Sequence, residues 1–378
     1  MRSVYPVGTT IYDPEACSNG YNLISGSGIV KLVSMNGEVM HSWSVDTEAK
    51  KGFIHRARLL PGGALMLLFG PGETEGHVAE FDWHGNQTWS YTPDRYAHHD
   101  FWPTEYGSVF LICEIKLPPE YQQKIVDPER RELEMFGDEL IEVSREGKVI
   151  WRWVQHEHLD VNVCNPITAS RDWGKGENSN TVTDWTHTNT IQALPENRWY
   201  DAGDIRFKPG NILQSMRQLD TISIIDRDSG EVIWSYTGDY KGGLSGQHEP
   251  HMIEKGLPGE GNIIVFDNGA SPQYDLAHCG CSYVLEINPG DNSLVWVYDA
   301  DHFFFARFTA NCQRLPNGNT LIFESMSKRL FEVTPEKEIV WEYILTDNAQ
   351  RVYRYPYDYC EACVRLGAQK ELAVVPPA

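Results

Sequence analysis

A tryptophan that follows a short turn recurs six times along the chain, and in five of the six copies apolar residues lie between the turn and the tryptophan. The six segments are residues 36–43, 85–91, 147–153, 230–236, 292–298 and 337–343. Repetition at this scale is typical of stacked copies of one supersecondary unit, because no single copy can bury its apolar face alone. The repeat therefore restricts the chain to a modular architecture of six similar units.

The spacing of the six tryptophans predicts what that unit is. Successive intervals are 46, 62, 83, 62 and 45 residues, and a four-stranded propeller blade takes about 40–50 residues. Short apolar or alternating runs such as residues 63–69 and 221–225 supply strands, whereas helical periodicity is limited to residues 119–134. We therefore predict an all-β, six-bladed β-propeller.

The repeat also bears on domain organisation. A length of 378 residues would suggest two domains on its own, but one closed β architecture can absorb the whole chain. We predict a single domain over residues 1–378. Residues 344–378 follow the last repeat, and we expect this C-terminal segment to pack back on the propeller.

Charge and hydropathy exclude several classes of partner. The chain carries 32 basic and 53 acidic residues, a formal net charge of −21, which opposes binding to nucleic acid or to anionic membranes. No apolar stretch reaches the length of a membrane span, and the first ten residues lack the apolar core of a signal peptide. We expect a soluble protein, cytoplasmic as given or secreted or periplasmic if a leader was removed, that acts on a small aromatic or anionic substrate. The sequence leaves the oligomeric state open.

Histidines recur where the innermost strand of a blade is expected to begin. They are His55, His99, His187, His248 and His251, and the corresponding place in the last blade holds Arg307 and Asn311. Innermost strands face the central channel of a propeller, so polar side chains at a shared register would converge on one site. Five further histidines, His41, His77, His84, His156 and His158, fall in turns or outer strands, and we expect them to be solvated.

Imidazole and guanidinium groups together favour two kinds of chemistry. An imidazole can act as a general acid, a general base, a nucleophile or a metal ligand. An arginine adds a fixed cation whose paired donors suit sulfate, phosphate or carboxylate. The predicted site is therefore suited either to group transfer from an oxyanion donor or to holding a metal ion.

Four segments give the chain a family resemblance. Residues 184–189, 247–248, 264–269 and 314–322, together with the opening around residues 19–23 and 30–37, resemble the arylsulfotransferases, six-bladed propeller enzymes that work without the nucleotide donor PAPS. The resemblance spans about residues 10 to 359. It implies transfer of a sulfuryl group between phenolic compounds through a transient sulfo-histidine. The implied reaction requires no cofactor.

The resemblance also implies roles for particular residues. His187 and His248 would contact the sulfate or assist proton transfer, and Arg217 or Arg307 would stabilise the developing negative charge. His55, His99 and His251 complete the predicted catalytic set by their places in the repeat. The predicted substrate-binding residues are Trp185, Asn189, Phe304, Asn311, Arg354 and Tyr357. Other aromatic residues that could line the substrate are Trp102, Tyr106, Trp173, Phe303 and Phe305.

Two other functions stay open from the residues alone. A cluster of His55, His99, His187 and His251 could hold a divalent metal, which would make the chain a metal-dependent lyase, hydrolase or oxygenase. A non-catalytic propeller that binds a ligand or partner at its rim is the third possibility. Against it, a binding scaffold seldom needs several titratable groups at one depth.

Overall fold

A computed structural model describes residues 7–26, 28–45, 54–70, 76–164, 184–269, 280–367 and 369–375. All of its sheets are antiparallel, and they number six within these residues. The fold class is the predicted all-β, six-bladed β-propeller. The chain forms two compact units, one of Met1–Thr92, Gly256–Glu260 and Phe308–Ala378 and the other of Pro93–Lys255 and Gly261–Arg307. The extent of the predicted single domain stays a prediction.

The second unit contains three sheets, each built from four consecutive strands. Sheet 3 has β9 (Ala97–Pro103), β10 (Val109–Lys116), β11 (Phe136–Val143) and β12 (Val149–Val154). Sheet 4 has β13 (Thr188–Ala193), β14 (Ile212–Met216), β15 (Thr221–Ile225) and β16 (Val232–Tyr236). Sheet 5 has β17 (His248–Met252), β18 (Ile263–Asp267), β19 (Tyr283–Asn288) and β20 (Ser293–Asp299).

The first unit contains the other three sheets, two of which combine strands from both ends of the chain. Sheet 1 has β2 (Tyr21–Ser25), β3 (Ile29–Val33) and β4 (Val39–Ser44), with β25 (Val352–Tyr355) paired to β2. Sheet 2 has β5 (Ile54–Leu59), β6 (Leu65–Phe69), β7 (His77–Phe81) and β8 (Gln87–Tyr91). Sheet 6 has β21 (Asn311–Arg314), β22 (Thr320–Glu324), β23 (Arg329–Val333) and β24 (Ile339–Ile344), with β1 (Gly8–Tyr12) paired to β24.

The α-helices within the described residues are short. They are α1 (Pro119–Gln122), α2 (Pro128–Arg131), α3 (Gln155–His158), α4 (Arg198–Asp201) and α5 (Glu361–Arg365). The helical periodicity of residues 119–134 thus appears as α1 and α2, since Pro128 begins a new helix behind an Asp127 cap. Within the part of the chain that the structure describes, no helix has both the length and the apolar character to cross a bilayer.

The repeated tryptophan lies on the outermost of the four repeat strands of each sheet, and Trp43, Trp151, Trp234 and Trp341 each bond to a neighbouring sheet of the same unit. The indole N–H of Trp151 donates to the Arg227 carbonyl at 3.0 Å, and that of Trp234 donates to Asn292 Oδ1 at 2.9 Å. In the first unit, Trp43 and Trp341 donate to the carbonyls of Asp82 and Met35. Each acceptor lies near the turn before the outermost strand of the adjoining sheet, so these four tryptophans join neighbouring sheets within a unit.

Candidate functional site

The predicted site residues are divided between the two units. His99, Trp185, His187, Asn189, Arg217, His248, His251, Phe304 and Arg307 belong to the second unit, whereas His55, Asn311, Arg354 and Tyr357 belong to the first. The second unit therefore carries most of the predicted imidazoles and both arginines of the predicted catalytic set.

His98 and His99 form a hydrogen-bonded pair at the start of β9. The two Nδ1 atoms are 2.6 Å apart, and His98 Nε2 lies 3.0 Å from Asp138 Oδ1 on β11. An ionised carboxylate only accepts hydrogen bonds, so His98 Nε2 carries a hydrogen. One further hydrogen is shared between the two Nδ1 atoms.

Asp138 also holds the segment that carries His187. Its Oδ2 accepts from Thr186 Oγ1 and from the Thr188 backbone N–H, both at 2.7 Å. Burial opposes ionisation of this carboxyl, but the hydrogen bond and charge of His98 and the donors at residues 186 and 188 lower its pKa. Burial likewise opposes the charged form of His98, and Asp138 nevertheless raises the pKa of that imidazole.

His187 is paired with Asp184 in the turn before β13. The carboxylate of Asp184 accepts from His187 Nδ1, and it also accepts from the His187 backbone N–H at 3.1 Å. The hydrogen on Nδ1 leaves the lone pair of neutral His187 on Nε2. The His187 ring packs edge-on against the His99 ring, with centroids 4.6 Å apart.

Two arginines lie in the same unit. The Arg217 backbone N–H donates to the His187 carbonyl at 3.2 Å, so the two residues are neighbours. Burial lowers the pKa of Arg217, Asp220 and Asp184 oppose that change, and the charge of Arg307 adds to it. Among the described residues no carboxylate forms an ion pair with the Arg217 or Arg307 guanidinium, which leaves both suited to an anionic ligand.

His248 begins β17, next to β13. Its Nδ1 lies 2.7 Å from Asn268 Oδ1 and 3.0 Å from the Gly246 carbonyl. The Asn268 amide nitrogen donates to the Ala306 carbonyl at 2.7 Å, which fixes the amide oxygen toward the histidine. His248 Nδ1 therefore donates, and the lone pair of the neutral ring is on Nε2.

The remaining predicted residues of the second unit mainly support the fold. Trp185 is buried and donates from its indole N–H to the Val163 carbonyl at 2.7 Å. Phe304 is fully buried between Phe266 and Tyr298. Asn189 donates to the Gln247 carbonyl at 2.8 Å. His251 is half-buried, with Nδ1 3.1 Å from the Glu249 carbonyl.

The predicted residues of the first unit are also enclosed. Arg354 is buried, pairs with Glu332, donates to Asn22 Oδ1 at 2.9 Å and lies over the Trp341 ring. Tyr357 packs edge-on against Tyr21, and burial raises the pKa of its hydroxyl. Asn311 is buried, and its side-chain amide donates to the Val352 carbonyl and accepts from the Val352 N–H. His55 is buried on β5.

The shared register predicted for the histidines holds for three of them. The backbone N–H groups of Leu60, Thr104, Leu194 and Ile253 each close the turn after the first strand of a sheet. His55, His99 and His248 each lie five positions before the residue that closes the turn of their own sheet. In contrast, His187 lies seven positions before Leu194, and His251 lies two positions before Ile253. His187 lies two positions further from its reference residue than the other three because it precedes β13, in the turn that Asp184 holds.

Several relevant residues were absent from the predicted set. Asp184 and Asn268 lie inside the segments that carry the family resemblance, and His98 adjoins His99, so the sequence contained a signal for these three. Asp138 is 40 residues from His98, and no local pattern marks it. We expected His156 to be solvated, and this was wrong: His156 is buried in α3, the helix that follows β12.

Trp173 was predicted as an aromatic residue that could line the substrate. Trp173 lies outside the described residues. In the described ranges, no group of three or more His, Cys, Asp or Glu side chains is placed to hold a metal ion. The metal-dependent alternative stays a prediction.

Comparisons with known proteins give a family and a set of similar structures. The chain matches the arylsulfotransferase (ASST) family model over residues 30–355. It is similar to the structure of a protein of unknown function from Bacteroides caccae, with a TM-score of 0.50, 12% identity and coverage of 89% of this chain and 98% of that one. No curated protein matches it.

Two further structures are similar over most of the chain. One is described as a streptogramin B lyase, with a TM-score of 0.47, 11% identity and coverage of 90% of this chain and 88% of the other. Another is an inactive H270A virginiamycin B lyase from Staphylococcus aureus with quinupristin, with a TM-score of 0.40, 9% identity and coverage of 81% and 75%. The family model, which spans most of the sequence, shows that this chain belongs to the arylsulfotransferase family.

Proposed function

We propose that this chain transfers a sulfuryl group from an aryl sulfate donor to a phenol acceptor, and that His187 Nε2 carries the group between them. The observation that carries the proposal is the Asp184–His187 pair beside Arg217. Membership of the arylsulfotransferase family supports the reaction class. The proposal needs no cofactor.

The pair with Asp184 suits His187 to be the nucleophile. Because Nδ1 donates to the carboxylate, the lone pair on Nε2 is available to attack sulfur. Sulfation of Nε2 places positive charge on the ring, and the adjacent carboxylate stabilises that charge. Since His187 is about one quarter exposed, its position is also compatible with access by a small substrate.

The two guanidinium groups supply the charge that a sulfate needs. The net charge of the chain is −21, so an anionic donor requires local cations to bind. Arg217 and Arg307 already repel each other, as the lowered pKa of Arg217 reflects in part. A sulfuryl group between them would relieve that repulsion and would be stabilised as charge develops on its oxygens.

The proposed reaction has two half-steps. In the first, the Nε2 lone pair of His187 forms the N–S bond while the S–O bond to the donor ring breaks, and the electron pair leaves on the donor phenolate. In the second, the acceptor phenol gives its proton to His248 Nε2 and its oxygen attacks sulfur. The N–S bond then breaks, its electrons return to His187, and His248 releases the proton to solvent.

The test is an assay of purified protein with 4-nitrophenyl sulfate and phenol, with and without a chelator. We expect chelator-insensitive transfer and, without acceptor, a burst of 4-nitrophenol with one sulfuryl group added to the protein. His187→Ala should abolish both. Asp184→Asn should lower kcat by about 10- to 100-fold, as typical for loss of a group that orients an imidazole.

His158→Ala is the matched control, because His158 is an exposed histidine stacked on Trp153 and it should keep wild-type activity. Full activity of the His187→Ala protein would remove His187 from the mechanism. Activity that is lost with the chelator and restored by a divalent metal would instead favour the metal-dependent alternative.

A further inference from the structure

We propose that Asp138 is a positioning residue that aims the His187 ring at the sulfur atom. The inference rests on the function proposed above and adds a residue that no motif indicates. Asp138 is almost fully buried on β11. It acts through His98 and His99 on one side of His187 and through Thr186 and Thr188 on the other.

The first side of this arrangement is a chain of side chains. Asp138 Oδ1 holds His98 Nε2, the Nδ1 atom of His98 meets that of His99, and the His99 ring lies edge-on against the His187 ring. Each contact is direct. A displaced Asp138 carboxylate would therefore move the surface against which His187 packs.

The second side is the backbone that carries His187. Asp138 Oδ2 accepts from Thr186 Oγ1 and from the Thr188 N–H, so one oxygen atom grips the residues immediately before and after His187. The same carboxylate thus sets both the position of the His187 backbone and that of its neighbouring ring.

Backbone strain explains why such a grip is needed. His99 has a φ of 59° and His187 a φ of 47°, in the left-handed region that is unfavourable for a residue other than glycine. Residues persist there only when the surroundings determine their conformation. Asp138 forms hydrogen bonds with His98, which precedes His99, and with Thr186 and Thr188, which flank His187. It therefore connects the segments that carry the two strained histidines.

A carboxylate is the group that this position requires. Three donors converge on Asp138, namely the His98 ring, the Thr186 hydroxyl and the Thr188 amide. A carboxylate only accepts, so it satisfies all three. An asparagine would direct its NH₂ group at one of these donors, and either the His98 link or the backbone grip would be lost.

The first test is Asp138→Asn in the sulfuryl-transfer assay. We expect kcat and the burst rate to fall about 100-fold, the effect of a misplaced reacting group, while KM for 4-nitrophenyl sulfate stays within about threefold because Arg217 and Arg307 are untouched. Glu139→Gln is the matched control. It removes a buried carboxylate at the next position of β11, which pairs with Arg95 and Arg152 rather than with an imidazole, and it should stay within about twofold of wild type.

A second pair of variants covers the case in which Asp138→Asn fails to fold. Thr186→Val removes one donor to Oδ2 and keeps the shape of the side chain, so kcat should fall about 10-fold. Thr186→Ser keeps the hydroxyl and should restore wild-type kcat. A role limited to stability would lower the melting temperature of the valine variant without this difference in kcat.

Ring signals of His187 in nitrogen-labelled protein, assigned by their loss in His187→Gln, give a readout that is independent of turnover. They should shift in Asp138→Asn or Thr186→Val and stay fixed in Glu139→Gln. An inactive wild type with these shifts would overturn the proposed function and keep the positioning role. Unshifted signals, or normal kcat in Thr186→Val, would overturn the positioning role alone.

Discussion

Asp267 is a buried carboxyl that holds the segment leading to His248. Its Oδ1 accepts from the Ser245 N–H at 2.8 Å and the Gly269 N–H at 3.3 Å. Asp220 accepts from the Gly246 N–H at 2.7 Å, so two carboxyl groups secure the same turn. Burial raises the pKa of Asp267 to about 7, and the charge of Asp220 adds to the increase. A single residue thus couples the local structure of the site to pH.

This pKa gives the stability of the fold a pH dependence of known sign. The unfolded carboxyl ionises near pH 3.8, whereas the folded one keeps its proton to about pH 7, so the folded state binds more protons between these values. The free energy of unfolding should therefore fall as pH rises from about 4 to 7, by at most about 1.4 kcal/mol for each pH step of one. Asp267→Asn should lack this contribution and be more stable than wild type at pH 8, but not at pH 4, in urea unfolding. A difference that is equal at both pH values would contradict the assignment.

At the scale of strands, amide side chains join the innermost strand of one sheet to that of the next. Gln192 on β13 accepts from the Met252 N–H of β17 at 2.8 Å. Gln313 on β21 accepts from the Arg354 N–H of β25 at 2.8 Å and donates to the Arg354 carbonyl at 2.9 Å. Inner strands of neighbouring sheets share no backbone ladder, so these amides satisfy buried backbone groups that would otherwise be unpaired.

Asn311 allows a test that separates this role from substrate binding. It donates to the Val352 carbonyl at 2.8 Å and accepts from the Val352 N–H at 2.9 Å. Asn311→Leu leaves both groups of Val352 buried and unsatisfied, so we expect a loss of about 2–4 kcal/mol in the free energy of unfolding. KM for the donor should change little. A large rise in KM with unchanged stability would restore Asn311 to the substrate site.

For the whole molecule, the sequence predicted the fold better than the site. The tryptophan repeat is local and periodic, and it survives as the outermost repeat strand of every sheet. His187 could be singled out because it lies in a recognisable segment, residues 184–189. Asp138 could not, because it meets His98, Thr186 and Thr188 across 40, 48 and 50 residues of sequence, and only the paired sheets bring them together. Burial likewise separates Trp185 and Phe304 from residues that face a substrate.

The net charge of −21 leads to a prediction for the whole molecule. It repels an anionic aryl sulfate at long range, and salt screens this repulsion because the Debye length falls to about 10 Å at 0.1 M. The kcat/KM for 4-nitrophenyl sulfate should therefore rise between low and physiological ionic strength. The kcat/KM for the uncharged phenol acceptor serves as the internal control and should stay constant. A fall for the donor would show that local attraction by the arginines dominates.

The mixed origin of sheets 1 and 6 has a consequence for biosynthesis. Sheets 2 to 5 use consecutive strands, so each can assemble soon after its last strand leaves the ribosome. Sheet 1 must wait for β25, although β2 to β4 are translated before the strands of sheets 2 to 5, and β1 must wait for β24. Strands β1 to β4 therefore stay incompletely paired while the strands of sheets 2 to 5 are translated, and they expose unpaired edges during that time.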